Sequence, residues 1–205
     1  GIDLRKLPAE DFDEPMGQAS GAGVIFGSTG GVMEASLRTV YEMITGRELQ
    51  GVEFHDVRSE DYKDAEIEMG KHRLKVAVAR GTGAARRLIE AILKGEKEYH
   101  FVEVMACPGG CVGGGGQPIY YETNDWNEQV AHRSRRAGGL YRQDRLKEYR
   151  KAHHNPAIIK LYQDFLGYPG SELAHKLLHT RYVSRKLYSP EPLPKKEHKQ
   201  QVQPR

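Results

Sequence analysis

Two spacings of apolar residues recur along the first half of the chain, and each predicts a different element. A spacing of three or four positions, typical of one helix face, joins Met33, Leu37, Val40, Tyr41 and Ile44. Ser28 or Thr29 is the expected N-terminal cap of this helix, and Gly46 its end. The same spacing predicts a second amphipathic helix, which ends at Gly95, from Ala85, Leu88, Ile89, Ile92 and Leu93.

Shorter apolar runs predict strands around these helices. Residues 24–26 read as a short buried strand that leads into a glycine-rich turn. Residues 52–57 and 73–79 are also predicted strands, the latter because apolar residues alternate with others. Residues 99–106 are almost continuously apolar, which is typical of a strand buried on both faces.

Strands that alternate with helices predict an α/β fold. We expect a small, largely parallel sheet flanked by helices on both faces, followed by a helical C-terminal arm. Glycine-rich turns follow Phe26 and Ala106. Both turns are expected at the carboxyl ends of strands, where the binding crevices of such sheets lie. The two turns are therefore predicted to form one site.

Composition divides the chain into three parts. Residues 1–123 are predicted to form the α/β lobe that contains the cysteine and glycine loop. Residues 124–188 are predicted to form the helical arm, with helices at 155–170 and 172–182. Residues 189–205 lack the apolar side chains that packing requires, which predicts a disordered tail.

Composition and charge narrow the class of protein. The 205 residues are 38% hydrophobic and 29% charged, and no apolar run approaches the roughly 18–20 residues that span a bilayer. The polar, acidic first residues do not resemble a signal peptide, so a soluble, cytoplasmic protein is expected. The net charge is only +3, and acidic residues interrupt the basic run at 133–151, so no binding to nucleic acid is expected.

Both cysteines of the chain lie in one segment, ACPGGCVGGGG, at residues 106–116. A disulfide between Cys107 and Cys111 would close an unusually short loop, and a zinc site would need two further ligands. Two inert core cysteines would not require six surrounding glycines. An iron–sulfur cluster fits the pattern best, because thiolates bind iron and glycine lets the backbone approach a bulky inorganic core.

Two further patterns allow other chemistry. The turn FGSTGG at residues 26–31 could bind phosphate at a helix N-terminus, but it lacks both the G-x-G-x-x-G pattern and the lysine of a P-loop. The candidate metal-binding histidines are His153, His154, His175 and His179. Because no H-E-x-x-H motif accompanies them, packing or capping is their expected role.

Several segments resemble, in order, the FeFe hydrogenases. EVMACPGGCVGGGGQP at residues 103–118 resembles the third cysteine motif of that family. VIFGSTGGVMEASLR at residues 24–38 is similar to the segment on the other side of the family's active site. The C-terminal region of the family is similar to RSRRAGGLYRQD (133–144), HHNPAIIKLYQDFLGYPGS (153–171) and AHKLLHTRY (174–182).

The resemblance implies an oxidoreductase that interconverts dihydrogen with protons and electrons at the H-cluster. In this cofactor, one cysteine sulfur joins a 4Fe-4S cluster to a di-iron subcluster with CO, CN and bridging dithiolate ligands. Motif by motif, Cys107 would ligate the 4Fe-4S cluster, and Cys111 would ligate it and bridge to the di-iron unit. Met105 and Phe26 would line the di-iron pocket with the Gly27 backbone nearby, so Cys111, Met105 and Phe26 are the implied catalytic residues.

The chain lacks two cysteine motifs of the family, which supply the other cluster ligands and a proton-relaying cysteine. We therefore expect the C-terminal half of a catalytic domain that needs a cysteine-bearing N-terminal lobe or partner chain. The resemblance also implies a ferredoxin-like or NAD(P)H-linked electron-transfer partner. The alternative is a Narf-like iron–sulfur assembly protein, since such proteins carry a similar ACP-x-GC-x-x-GGGQ stretch. The FGSTGGVMEA segment favours the hydrogenase branch.

Overall fold

The structure, a computed structural model, describes residues 2–11, 13, 17–51, 55–56, 62–118 and 126–183. The chain divides into two compact units, Gly1–Phe165 and Leu166–Arg205. The domain boundaries predicted after residues 123 and 188, and the disordered tail predicted at 189–205, lie outside the described residues.

Among the described residues of the first unit, four strands form one sheet in the order β1-β2-β3-β4. The strands are β1 (His55–Asp56), β2 (Tyr62–Met69), β3 (His72–Arg80) and β4 (Phe101–Met105). Strand β2 pairs antiparallel with β1 and β3, whereas β3 and β4 are parallel. The α/β class and the small sheet flanked by helices are confirmed, but the expectation of a largely parallel sheet is wrong.

Strand β2, which the apolar runs did not reveal, accounts for the antiparallel pairing. Its buried Ala65 and Ile67 alternate with exposed Glu66 and Glu68, so no apolar run marks it. Gly70, with φ of 62°, lies in the tight turn that leads into β3. A short turn can only join antiparallel neighbours, whereas a parallel pair such as β3 and β4 needs a longer crossover.

The helices described in the structure connect and cover these strands. They are α1 (Gly21–Ile25), α2 (Gly31–Thr45), α3 (Thr82–Leu93), α4 (Trp126–Leu146), α5 (Pro156–Leu161) and α6 (Glu172–Leu178). Short 3-10 helices span Leu4–Lys6, Cys111–Gly113 and Ala152–His154, and a π-helical turn spans Tyr162–Leu166. Helices α2 and α3 confirm the two helices predicted from apolar spacing, and Gly46 ends α2 with φ of 66°.

Helices α2 and α3 pack on opposite faces of the sheet. Leu37 of α2 packs with Val76, whereas Leu88 of α3 packs with Ala77, the next residue of β3. Successive side chains of a strand point to opposite faces, so the two helices bury one face each. Full burial of a leucine side chain contributes about 1.5–3 kcal/mol, so each of these two residues contributes substantially to the stability of this layer.

Strand β4 lies at the edge of the described sheet, where it pairs only with β3. Phe101 and Val104 remain 37% and 45% exposed. The prediction of a strand buried on both faces is therefore wrong at Phe101 and Val104, although Glu103 on one face contacts α2 and Val102 on the other packs with the cluster around α3. An exposed apolar edge of this kind is typical of an interaction surface.

Residues 24–26, predicted as a strand, lie in α1 and in the turn that follows it. Ser20 caps this helix, since its Oγ accepts a hydrogen bond from Gly23 N at 3.3 Å. Gly21 N donates to Tyr149 O at 2.8 Å, which ties the helix to a distant segment. Three apolar residues are too few to distinguish a strand from a buried helix. The first glycine-rich turn therefore follows a helix and not the carboxyl end of a strand.

The second unit contains α6. Ser171 caps this helix, and its Oγ accepts a hydrogen bond from the buried Ala174 N at 3.1 Å. Of the helices that the structure describes in either unit, none is both long enough and apolar enough to cross a membrane.

Candidate functional site

The loop that follows β4 carries both cysteines, and both are free and exposed. Cys107 follows closely after Met105, the last residue of β4, and Cys111 begins the 3-10 helix Cys111–Gly113. Accessible thiols can act as thiolate ligands, whereas cysteines buried in a core behave as small apolar residues. The two predicted ligands are therefore available to a metal.

Backbone hydrogen bonds join this loop to the turn that follows α1. Thr29 N donates to Gly109 O at 3.0 Å, and Val112 N donates to Gly27 O at 3.1 Å. Each segment supplies one donor and one acceptor, so a shift of either segment would leave polar backbone groups unpaired. The two glycine-rich segments thus lie together, as the sequence predicted, although only the second follows a strand.

Two glycines of the cysteine loop are required by contacts with protein backbone. A Cβ atom on Gly110 would lie 2.8 Å from Gly27 O and from Thr29 N. Gly110 also has φ of 87° and ψ of −155°, a conformation that is essentially restricted to glycine. A Cβ atom on Gly113 would overlap Pro108 O. These glycines therefore permit the loop to fold onto the turn.

The later glycines leave space around the first thiol. A Cβ atom on Gly114 would lie 3.6 Å from Cys107 Sγ, and one on Gly115 would meet nothing within 4 Å. Gly116 is similarly open, although its φ of 84° favours glycine. This end of the loop has the room that a bulky metal cluster would need.

The predicted apolar residues of the site keep part of their surface exposed. Phe26, between α1 and the bonded turn, is 46% exposed. Gly27 and Met105 are half-buried. The apolar wall that the resemblance implies is therefore partly open to solvent in this chain.

A buried glutamate fixes the start of α2 against β4. Glu103 is only 6% exposed, and its carboxylate accepts hydrogen bonds from Gly30 N at 2.6 Å and Met33 N at 2.7 Å. Gly30 is the N-cap residue, so the prediction that Ser28 or Thr29 caps this helix is wrong. A carboxylate is favourable there because the first amides of a helix lack partners and carry partial positive charge. The sequence contains one sign of this contact, because Glu103 is an acidic residue within an otherwise apolar strand.

Arginine side chains of α4 hold the other side of the cysteine loop. Arg136 donates to Val112 O at 2.8 Å and to Pro118 O at 2.7 Å. The side chain of Arg133 lies beside Gly109 and Gly113. Part of the basic run that begins near residue 133 is therefore used inside the fold, which the sequence did not predict.

A buried ion pair joins α2 to α4. Arg38 donates to both carboxylate oxygens of Asp144, at 2.9 and 3.0 Å, and Arg150 donates to the same carboxylate at 2.8 Å. Burial of Asp144 opposes ionisation, but the two arginines hold the pKa of its carboxyl below the usual range. Asp144 is fully buried, and a Cβ atom at position 21 would collide with it, which explains Gly21.

The candidate histidines fall into two separate pairs. His153 Nε2 lies 3.2 Å from Glu42 Oε2, and His154 Nε2 lies 3.4 Å from Glu42 Oε1. In the second unit, the rings of His175 and His179 have their centroids 4.5 Å apart. Sequence spacing could not reveal Glu42 as a neighbour, because 111 positions separate it from His153.

A cavity of about 660 Å³ adjoins the cysteine loop, with Thr29, Pro108 and Tyr141 among its lining residues. Thr29 Oγ1 is buried and has no hydrogen-bond partner among the described residues. The cavity is not lined by any of the predicted site residues, which are Cys107, Cys111, Met105, Phe26 and Gly27. We therefore assign the candidate metal site to the exposed side of the loop and not to this cavity.

The donors present fit half of an iron–sulfur cluster. Soft thiolates are the ligands that such clusters require, and a cubane takes four of them. The chain has two cysteines, both free and both on the one loop. The open space beside Cys107 fits a bulky group, and the other two ligands would have to come from elsewhere.

Comparisons with known proteins give the chain a family context. A profile described as "Iron only hydrogenase large subunit, C-terminal domain" matches residues 1–115. A second, described as "Iron hydrogenase small subunit", matches residues 130–185. The NADP-reducing hydrogenase subunit HndD of Solidesulfovibrio fructosivorans is 50% identical over 185 residues, which are 90% of this chain and 30% of that protein. Iron hydrogenase 1 of Clostridium pasteurianum is 43% identical over 88% of this chain and 31% of that protein.

Solved structures agree with these relatives. The apo [FeFe]-hydrogenase HydA1 from Chlamydomonas reinhardtii matches with a TM-score of 0.67 and 41% identity, over 89% of this chain and 51% of that chain. At lower identity, cytosolic iron-sulfur assembly component 3 of Mus musculus is 34% identical over 76% of this chain and 31% of that protein. The chain thus spans about a third of the length of the curated relatives it matches.

Proposed function

The chain belongs to the iron-only hydrogenase family, and from this premise we propose that it forms one side of an FeFe hydrogenase active site. The reaction is the reversible oxidation of dihydrogen to protons and electrons. The observation that carries the proposal is a pair of free, exposed thiols on a loop that backbone hydrogen bonds fix to the turn after α1. When bound, the H-cluster supplies the hydrogen-binding metal and the redox chemistry.

The two thiols have different proposed roles. Cys107 would hold the 4Fe-4S cluster, and Cys111 would hold both that cluster and the di-iron subcluster. A rigid loop is suited to this task because a cluster needs its thiolates at fixed positions. The bonds of Val112 N to Gly27 O and of Arg136 to Val112 O hold the residue next to Cys111 from two directions.

The remaining site residues shape the pocket. Phe26 and Met105 form its apolar wall, and Gly27, where a Cβ atom would lie 2.8 Å from Leu140 of α4, brings its backbone near the di-iron unit. An apolar wall excludes water and lowers the local dielectric, which tunes the potential of a metal site. The exposure of Phe26 fits this role, because a second lobe would cover it in the complete protein.

The site is proposed to be completed by a cysteine-bearing N-terminal lobe or partner chain. Two thiols are half of the four that a cubane requires. The exposed edge strand β4 and Phe26 offer apolar surface for such a lobe. A ferredoxin-like or NAD(P)H-linked partner would carry the electrons. Residues 1–205 supplied alone with iron, sulfide and a synthetic di-iron unit should therefore show no hydrogen turnover, and robust turnover would contradict this half-site.

A second candidate is iron–sulfur cluster assembly without hydrogenase activity. It is favoured by the 34% identity to cytosolic iron-sulfur assembly component 3. Such a role needs the same loop to hold a 4Fe-4S cluster, but it needs no di-iron subcluster.

A gas assay combined with infrared spectroscopy on the full-length protein separates the two candidates. The hydrogenase proposal predicts hydrogen uptake or evolution together with the bands of CO and CN bound to iron, which no protein group imitates. In that protein, Met105→Leu should lower activity while the iron content stays unchanged. A protein that holds a 4Fe-4S cluster, lacks these bands and turns over no hydrogen would instead support the assembly role.

A further inference from the structure

Three potential metal ligands converge at the C-terminal end of α2, away from the cysteine loop. They are Glu42, His153 and His154, and their ligand atoms all lie within 4.8 Å of one another. Each carboxylate oxygen of Glu42 faces one ring nitrogen, as Nε2 of His153 faces Oε2 and Nε2 of His154 faces Oε1. We propose that these residues form a histidine–glutamate site for a divalent transition-metal ion of the Zn²⁺ class.

The three ligand groups lie close enough to close around such an ion. Metal–ligand bonds of about 2.0–2.1 Å in a tetrahedron place neighbouring ligand atoms about 3.3 Å apart. The ligand atoms here lie within 4.8 Å of one another, and because the 3.2 and 3.4 Å nitrogen–oxygen distances run to different carboxylate oxygens, metal binding requires the Glu42 carboxylate and the rings to turn slightly inward. Two imidazoles and one carboxylate are an established ligand set for zinc, with water in the fourth position. The His154 side chain is 47% exposed, so solvent can reach the site.

A threonine supports the orientation of one ligand. His153 Nδ1 lies 3.0 Å from Thr39 Oγ1, and that hydroxyl donates to Ala35 O at 3.4 Å. When a metal ion takes the place of the proton shared by His153 Nε2 and Glu42, the ring proton lies on Nδ1 and is donated to the Thr39 hydroxyl, which in turn donates to Ala35 O. A hydrogen bond from the second ring nitrogen is the usual way in which proteins orient a metal-binding histidine.

The ligand types suit a metal of this class. Metal binding takes an ionised carboxylate and neutral imidazoles, because a protonated ligand has no lone pair to donate, so binding at this site should weaken as the pH is lowered.

Lys151 would compete with a metal ion for the Glu42 carboxylate. Its Nζ lies 2.6 Å from Glu42 Oε2 and 3.5 Å from Glu48 Oε1. A divalent ion on Glu42 would repel this ammonium, which can move toward Glu48. Removal of the lysine charge should therefore strengthen metal binding, whereas a merely structural role for Lys151 would not produce that gain.

The site shares no residue with the cysteine loop, so it does not depend on the proposed hydrogenase function. The test uses the full-length protein as purified, in a His175→Asn/His179→Asn background that removes the other histidine pair. One equivalent of Zn²⁺ is added after chelator treatment, and zinc-edge X-ray absorption is recorded. We expect nitrogen and oxygen ligands at about 2.0 Å with imidazole scattering, whereas sulfur at about 2.3 Å would overturn the proposal.

Affinity for Zn²⁺, measured by competition with a chelator, gives the second arm. His154→Gln should weaken binding at least about ten-fold, and Glu42→Gln should do the same. Lys151→Gln should strengthen binding, and Lys160→Gln, which removes an exposed lysine paired with Asp164, should leave it unchanged. Because His154 is half-exposed, its variant should fold normally. Unchanged affinity in His154→Gln, or weaker affinity in Lys151→Gln, would overturn the proposal.

Discussion

At its N-terminal end, α2 meets the buried Glu103 carboxylate of β4, and near its C-terminal end it carries its own glutamate, Glu42, whose side chain is 25% exposed. The first carboxylate accepts hydrogen bonds from backbone amides. The second interacts with Lys151, His153 and His154, all of which can change charge or exchange partners. The N-terminal end of α2, beside the cysteine loop, is thus held by partners that keep their charge. Its C-terminal end is held by partners that can change charge or move away.

Both ends depend on a glutamate carboxylate, so the difference between them follows from the groups that each carboxylate contacts. Backbone amides do not titrate, and a buried bond to them is little screened by salt. The ion pair of Glu42 with Lys151 is only partly buried, with side chains 25% and 11% exposed, and both of its partners carry formal charge, so it is more sensitive to salt and pH than the Glu103 bonds are. A site that must hold a metal cluster in fixed geometry is therefore expected near the N-terminal end of α2, where Glu103 accepts the backbone hydrogen bonds.

The largest expected effect comes from removing the buried ion pair between Asp144 and Arg38, which holds the middle of α2 to α4. Asp144→Ala would leave Arg38 buried without its main partner, and we expect the free energy of unfolding to fall by about 3–5 kcal/mol. Denaturant unfolding measures this loss. Glu90→Ala, which removes an exposed partner of Arg86, is the matched control and should cause no measurable change. A loss no larger than that of the control would contradict the anchoring role.

The next effect tests the N-terminal end through the glycines of the cysteine loop. Gly110→Ala would place a methyl group 2.8 Å from backbone atoms of the turn, in a conformation that costs about 1–3 kcal/mol for residues other than glycine. We expect loss of iron from the purified full-length protein. Gly115→Ala meets nothing within 4 Å and should retain iron. Equal iron content in the two variants would show that the contact with the turn is unimportant.

A smaller loss is expected from Glu103→Ala. Two amide donors would lose a charged acceptor, which we expect to lower the free energy of unfolding by about 2 kcal/mol. Glu42→Ala, at the other end of the helix, should cost less, and only its effect should shrink as salt is added. Urea unfolding at low and high salt checks both variants. If the loss of unfolding free energy in Glu103→Ala disappears in high salt, the two ends of α2 do not differ in the way proposed.

The smallest effect is a pH dependence confined to the C-terminal end. Burial and His154 lower the pKa of His153 in the folded protein, so the unfolded chain binds the proton more readily. The free energy of unfolding should therefore fall as pH drops below the ordinary histidine value of about 6.5, with Lys151 and Glu42 as the charged neighbours. His153→Gln should flatten that dependence when apoprotein is unfolded at pH 7.5 and 5.5. If the free energy of unfolding depends on pH equally strongly in His153→Gln, another group is responsible for that dependence.

Local sequence patterns predicted α2, α3 and β3 because each has a complete apolar face of regular spacing. They failed where distant partners decide the structure. Residues 24–26 lie partly in α1, a short helix that Ser20 and hydrogen bonds to distant residues stabilise, and Glu103 caps α2 from about 70 positions away. Strand β2 was not predicted, because charged residues occupy its exposed face and interrupt the apolar pattern.

The candidate site was predictable in part. The glycine-rich context of Cys107 and Cys111 identified the loop, and the resemblance to a family supplied the roles of Phe26 and Met105. Neither could reveal that Arg136 supports the loop, because that contact joins residues 24 positions apart. Such contacts arise only when the chain has folded.

The most direct test of the proposed site is the infrared spectrum of the full-length protein with Cys111→Ser. Serine removes the thiolate that is proposed to bridge the two parts of the H-cluster, while Gly115→Ala, nearby on the same loop, provides a control that should keep it. The account predicts that the bands of CO and CN on iron are present in the parent and in the control and absent in Cys111→Ser. Bands of unchanged position and intensity in Cys111→Ser would contradict it.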